Sequence, residues 1–325
     1  TRATGKMSMV IAQNGPGITG LVTPIKTAYW NHTPLLLVTP QAANKTMGQG
    51  GFQEVEQMNL FKDMVCYQEE VRDPSRMAEV LNRVIEKAIR GSAPAQINVP
   101  RDYWTQVIDI ELPPIVRFER QAGGKDAIER AAKMLSDAKF PVILSGAGVV
   151  IGDAINECKN LAEKLDAPVC NGYQHNDSFP GSHPLAVGPL GYNGSKAAME
   201  LISKADVVLA LGTRLNPFST LPGYGIDYWP KDASIIQVDM NPDRIGLTKK
   251  VTVGIEGDAK QVAKQILDKL SSNAGDIGRE DRKNLIHQTK SAWLQTLTSL
   301  DHEAVSYTHL RAHETLRYLV CRLLL

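Results

Sequence analysis

The sequence predicts an α/β protein made of two doubly wound parallel-sheet domains. Three observations carry this. Short apolar runs bounded by Pro or Gly alternate with amphipathic stretches. The alternation comes in two blocks, separated by a Pro- and Gly-containing segment with no helical period, residues 105–124. Several strands also run into glycine-rich turns, as sheets do where parallel strands feed helices. A chain of 325 residues suits two domains of about 150 residues each.

The first block opens with "MSMVIA" (Met7 to Ala12), a strand, followed by the corner Gly15-Pro16-Gly17. Leu21, Ile25, Ala28 and Tyr29 then recur at helical spacing, with Pro24 either near the first turn, where its missing N–H costs least, or at a kink. "PLLLVTP" (Pro34 to Pro40) is continuously apolar, as in a parallel strand buried on both faces. A polar loop, "QAANKTMGQGGFQEVEQ", leads to a short strand in "MVCYQEEV". Asp73-Pro74-Ser75 reads as a helix start, and the helix that follows is expected to stop at Gly91. "PAQINVP" (Pro94 to Pro100) is the next strand.

The second block repeats the scheme without detectable identity to the first. "DAIERAAKMLSDA", "AINECKNLAEKL", "KAAMELISKA" and the stretch after Asp258 read as helices. "FPVILSGAGV", "APVCNG", "DVVLALGTRL", "SIIQVDMNPDRIG" and "VTVGIEGD" read as strands with their turns. "SSNAGDIGREDRKN" reads as a polar hinge before one more helix, "LIHQTKSAWLQTLTSL". The expected domains are therefore 1–104, a linker over 105–124, 125–271, and a hinge with the start of a further link over 272–305. Residues 306–325 continue no earlier pattern. They resemble translated sequencing-adapter sequence and are expected to be a non-native tail. The absence of an initiator Met and the immediate entry into a strand suggest that something precedes Thr1.

Composition narrows the function classes. A net charge of +1 gives no basic face for nucleic acid or anionic lipid. No run approaches the length of a membrane span, and no basic-then-apolar leader opens the chain, so the expected location is the cytoplasm. Cys66, Cys158, Cys170 and Cys321 form no paired or metal-ligand spacing and read as free, structural thiols. His32, His175, His183 and His287 are scattered, and no metal site is expected within the chain.

Three glycine-bearing motifs remain. Gly15 and Gly17 let backbone approach a ligand closely where an α/β sheet receives one, although a tight turn would look the same. "GQGGFQEVEQ" is a long loop with Phe52-Gln53-Glu54 at its end, either functional or a flexible surface loop. "GAGVVIG" (Gly146, Gly148, Gly152) is GxGxxxG and lacks the acidic residue that a nicotinamide site places on the next strand.

Taken together, "IAQNGPGITGLVTPIKTAYWNHTPLLLVTP" and "GQGGFQEVEQ" resemble the thiamine-diphosphate-dependent family that includes acetolactate synthase. "PVILSGAG", "VVLALGTRL", "IIQVDMNPDRIG" and "VGIEGDAK" are similar to that family's central domain, so the resemblance covers residues 1 to about 300. It implies a truncated pyrimidine-binding domain followed by a complete central Rossmann-like domain. It implies thiamine diphosphate and Mg2+ as cofactors, with Gln13, Gly15, Pro16 and Gly17 at the aminopyrimidine and Phe52 and Gln53 as catalytic residues near the reacting centre. "MGQGGFQEVEQMNLFKDMVCYQEEV" and "PAQINVPRDYWTQVIDIELPPIVRFER" are most similar to the members that convert sulfoacetaldehyde and phosphate to acetyl phosphate and sulfite. The intact parent is then expected to be a homodimer or homotetramer.

The departures from the family pattern set further expectations. The Glu that contacts the pyrimidine would fall before Thr1. The Gly-Asp-Gly…Asn motif that holds magnesium is also missing, because Gly152-Asp153, Gly257-Asp258 and Gly275-Asp276 each lack the second glycine. Metal ligands are thus expected in a further C-terminal domain, and no turnover from this chain alone. Gly20 stands where relatives often have Asn. The rival readings are a carboligase that forms acetolactate and a non-catalytic nucleotide-binding or assembly module built on the central domain.

Overall fold

A computed structural model describes residues 1, 4–114 and 119–300 of the chain. The expected tail, 306–325, lies outside the described residues. The chain divides into two compact units, residues 1–119 and residues from Arg120 onward, so the segment read as a linker is split between them.

Unit 1 runs β1 (Ser8–Ile11), α1 (Pro16–Thr19), α2 (Val22–Trp30), β2 (Leu35–Gln41), α3 (Gln57–Leu60), β3 (Tyr67–Glu70), α4 (Met77–Gly91) and β4 (Pro94–Pro100). Its described strands form one parallel sheet in the order β1-β2-β4-β3. β2 and β4 are central, which explains why both read as runs without alternation. Asp73 accepts the Ser75 N–H at 2.9 Å and starts the turn that leads into α4. Val80, Val84 and Ala88 of α4 face the sheet at four-residue intervals. The helix does not use Gly91 as its left-handed stop. Ser92 takes that conformation (φ 43°), and Gly91 is small because a Cβ there would lie 3.0 Å from the Cys66 sulfur. At the β1 edge, Met9 and Ile11 are exposed.

Unit 2 runs α5 (Lys125–Asp137), β5 (Pro141–Ser145), α6 (Ala147–Ile151), α7 (Ile155–Leu165), β6 (Val169–Asn171), β7 (Ala186–Pro189), α8 (Lys196–Ile202), β8 (Val207–Leu211), β9 (Ser234–Asp239), β10 (Val253–Glu256), α9 (Ala259–Lys269) and α10 (Arg279–Leu300). The strands are parallel in the order β10-β9-β8-β5-β6-β7, with the direction of winding reversing between β5 and β8. Its core is continuous from Ile128 to Ile286, with Cys158 and Cys170 inside it. Burial pushes the Cys158 thiol up to about 12, so it stays protonated. Cys66, by contrast, is exposed.

Three features of unit 2 differ from the expectation. β7 is a four-residue strand inside a Pro-, Gly- and His-rich segment, too short to show a period. α6 forms within what reads as a glycine turn. α10 begins at Arg279, inside the expected hinge. The buried Arg282 there donates to the carbonyls of Lys139, Leu165, Asp166, Gly275 and Ile277, tying α10 to the C-terminus of α7.

Candidate functional site

Because β1 and β2 are parallel, the turn after β1 and the long loop after β2 leave the same edge of the sheet. The chain must turn sharply between β1 and α1. Gly15 does this at φ 70°, ψ −114°, a conformation only glycine adopts without strain, and Pro16 opens α1 with its φ already set. The turn closes with the Ile18 N–H on the Gln13 carbonyl at 3.0 Å and the Thr19 N–H on the Gly15 carbonyl at 2.9 Å. A Cβ on Gly17 would lie 3.2 Å from that of Ala12. Gly15 is buried, while Pro16 stays exposed on the corner.

The loop after β2 returns to this corner. A Cβ on Gly15 would lie 2.9 Å from the Cβ of Gln53, so the two turns are pressed together. Gln53 is itself left-handed, at φ 63°. Gln13 Nε2 donates to Gln53 Oε1 at 2.8 Å, and Asn14 Nδ2 donates to the Gln53 carbonyl at 3.1 Å. Phe52 is 87% exposed at the tip. The corner and Gln53, far apart in sequence, are thus brought together. Asn14 was not among the expected residues. The signal for it was its position directly before the Gly-Pro-Gly corner, where a short amide can reach a neighbouring turn.

Buried side chains support the loop from below. Gln57 Nε2 donates to the Pro40 carbonyl at 2.6 Å, and Gln41 Nε2 to the Val55 carbonyl at 3.3 Å. Beneath them, Gln96 Nε2 donates to Thr39 Oγ1 (2.9 Å), whose hydroxyl donates to Asn98 Oδ1 (2.7 Å). Asn98 Nδ2 donates to Glu70 Oε2 at 2.7 Å. Glu54 clasps the loop with its carboxylate, accepting the N–H groups of Gly48 (2.6 Å) and Gly51 (3.2 Å). The surface presented at the corner is therefore an exposed proline ring, with the neutral amides of Gln13 and Gln53 beside it.

The corner at the switch point of unit 2 is built differently. The Gly148 N–H donates to the Gly212 carbonyl at 2.8 Å, and a Cβ on either Gly148 or Gly212 would meet backbone of the other at 2.6 Å. Here glycine serves backbone contact. The Asp residues of the magnesium-like sequences also have other tasks. Asp153 bridges Lys260 at 2.8 Å, Asp258 caps α9 and bridges Arg120 at 3.0 Å, and Asp276 bridges Arg279 at 3.0 Å. His183 pairs with Glu163 at 3.1 Å.

Two parallel α/β units, the first carrying a glycine-proline corner under a glutamine turn, define a modular α/β protein. The family model "Thiamine pyrophosphate enzyme, N-terminal TPP binding domain" matches residues 1–60, and "Thiamine pyrophosphate enzyme, central domain" matches residues 128–266. The chain belongs to the thiamine pyrophosphate enzymes, of which it carries these two domains. It is 80% identical over 303 residues to a probable sulfoacetaldehyde acetyltransferase of Rhizobium meliloti (strain 1021), covering 93% of this chain and 51% of the relative. It is 79% identical over 303 residues to the sulfoacetaldehyde acetyltransferase of Roseovarius nubinhibens, covering 93% and 50%. A probable acetolactate synthase large subunit of Methanocaldococcus jannaschii is 35% identical over 277 residues, covering 83% and 46%. The chain thus spans about half the length of the curated relatives it matches. No helix among the described residues is long and apolar enough to cross a membrane.

Proposed function

We propose that the chain is part of an acetyltransferase that converts sulfoacetaldehyde and phosphate to acetyl phosphate and sulfite. The observation that supports this most is the seating of the Gln53 turn on the Gly15-Pro16-Gly17 corner, in a chain 80% identical to a protein named for that activity. The far lower identity to the acetolactate synthase relative disfavours a carboligase. In this conversion the aldehyde C–H is lost as a proton, the C–S bond breaks and sulfite leaves with the bonding pair, the former sulfonate carbon takes up a proton to become a methyl group, and a phosphate oxygen bonds to the former aldehyde carbon as its own proton is released.

Thiamine diphosphate with Mg2+, when bound, would supply the nucleophilic carbon and the electron sink. The residues present fit its aminopyrimidine: an uncharged surface at the exposed Pro16 and half-buried Gly17, held in shape by the buried Gly15, with the exposed amide of Gln13 beside it. Gln13 acts there chiefly by orienting Gln53. Phe52 and Gln53 would lie nearest the substrate, Phe52 shielding the centre from water and Gln53 offering its amide. The groups that hold magnesium and diphosphate would come from the part of the protein outside this chain, in a cytoplasmic homodimer or homotetramer.

The test is to extend the polypeptide to the full length of its relatives and supply sulfoacetaldehyde, phosphate, thiamine diphosphate and Mg2+. Sulfite and acetyl phosphate are expected in equal amounts. Acetolactate from pyruvate with no sulfite release would refute the proposal. The present chain alone is expected to give neither product.

A further inference from the structure

The loop that carries Phe52 and Gln53 is fastened at three levels. Gln57 and Gln41 hold its base to the end of β2 and to Val55. The Glu54 carboxylate closes its neck on the amides of Gly48 and Gly51. None of these bonds reaches the Gly-Pro-Gly corner. The tip is tied to the corner by the two bonds from Asn14 and Gln13 to Gln53.

Those two bonds act on different parts of Gln53. Gln13 holds the side chain, and Asn14 holds the backbone carbonyl. The left-handed backbone of Gln53 is unfavourable for a residue with a Cβ, so it persists only where its surroundings demand it. A charge-free amide donating to the carbonyl of that residue is such a demand. The proximity to Gly15 leaves no space for Gln53 to relax toward the corner.

We propose that Asn14 is a positioning residue of this site: its side-chain amide keeps Gln53 left-handed against Gly15 and so holds the Phe52-Gln53 pair at the corner. This rests on the reading of the corner as a cofactor site, but the bond itself can be tested without cofactor or substrate.

The experiment is hydrogen–deuterium exchange, read by mass spectrometry, on this chain and its Asn14→Ala, Asn14→Asp and Asn14→Gln variants. Loss of one hydrogen bond should speed exchange in peptides spanning residues 48–56 about tenfold in Asn14→Ala. Peptides from α4 and from β5 should not change. Asn14→Asp keeps the shape but loses the donor and is expected to behave like Asn14→Ala. Asn14→Gln keeps a donor and is expected to recover most of the protection. Unchanged exchange in Asn14→Ala, or acceleration that includes α4, would overturn the proposal. In the full-length polypeptide Asn14→Ala should lower kcat about tenfold with the KM for phosphate unchanged. If the wild-type full-length protein releases no sulfite, the functional reading fails while the exchange result still decides the role of Asn14.

Discussion

The two glycine corners of this chain each follow a strand of a parallel sheet, β1 at the edge of the described strands and β5 at the centre, and do opposite things. In unit 2, Gly146 and Gly148 meet Gly212 and Thr213, backbone on backbone, with contacts that a single Cβ would break. In unit 1, Gly15 meets the Cβ and carbonyl of Gln53, a residue on a loop, and leaves an exposed proline and side-chain amides at the surface. One corner locks two strand ends together; the other seats a loop. Glycine after a strand reports close approach in both cases, and what approaches is decided by residues far away in sequence.

The sharpest way to break this contrast is Gly212→Ala. Its φ of 60° and the backbone atoms within 2.8 Å leave the new Cβ nowhere to go. Unit 2 should lose about 3 kcal/mol, read as a shift in the urea midpoint. A variant that melts like the wild type would mean the two turns are not in contact. Gly15→Ala should cost about 2 kcal/mol, for the φ of a residue only glycine tolerates. Its damage should appear first in residues 48–56 by hydrogen exchange and leave unit 2 untouched. Equal loosening of both units would contradict the separation drawn here.

Much of this organisation was legible in the sequence. The central strands β2 and β4 announced themselves as proline-bounded apolar runs, and α4 by its spacing of Val80, Val84 and Ala88. Gln96 and Asn98 were harder to interpret, because their burial depends on Thr39 and Glu70 arriving from other strands. Arg282 misled for a related reason. An arginine in a polar stretch reads as solvated, yet here it satisfies carbonyls at the end of α7 that local sequence cannot reveal. At the corner, Gly15, Pro16, Gly17, Phe52, Gln53 and Glu54 stood out by motif, whereas the bond from Asn14 to the Gln53 carbonyl depends on a loop closure between residues 39 positions apart.

Acid offers a gentler probe of the two units. In unit 1, Arg83 pairs with Glu69 at 2.8 Å and holds that carboxyl below its usual range, while Glu79 is held at about 2 by Arg76 first, at 2.7 Å, and by Arg83 second, at 2.9 Å. A depressed carboxyl stabilises above its unfolded pKa, about 4.3 for Glu, and that stability is lost as pH falls through the folded pKa. Unit 1 should therefore weaken from about pH 4.3 downward, and Arg83→Met should flatten that slope. In unit 2, burial pushes the Asp239 carboxyl up. The sign reverses: its ionised form strains the fold at neutral pH, and stability is recovered as pH falls through the raised pKa toward about 3.9. Exchange protection followed against pH in each unit should show unit 1 loosening first. The opposite order would contradict the assignment of these pairs.

The role proposed for the corner at Gly15-Pro16-Gly17, with Gln53 seated on it, is acyl transfer from sulfoacetaldehyde. The direct measurement is sulfite release by the full-length polypeptide, wild type against Gly15→Ala, with sulfoacetaldehyde, phosphate, thiamine diphosphate and Mg2+ present. Sulfite matched by acetyl phosphate is expected in the wild type, with a loss of at least about a hundredfold in Gly15→Ala, as when reacting groups are misplaced by about 1 Å. Full activity in Gly15→Ala, or no sulfite from the wild type, would contradict it.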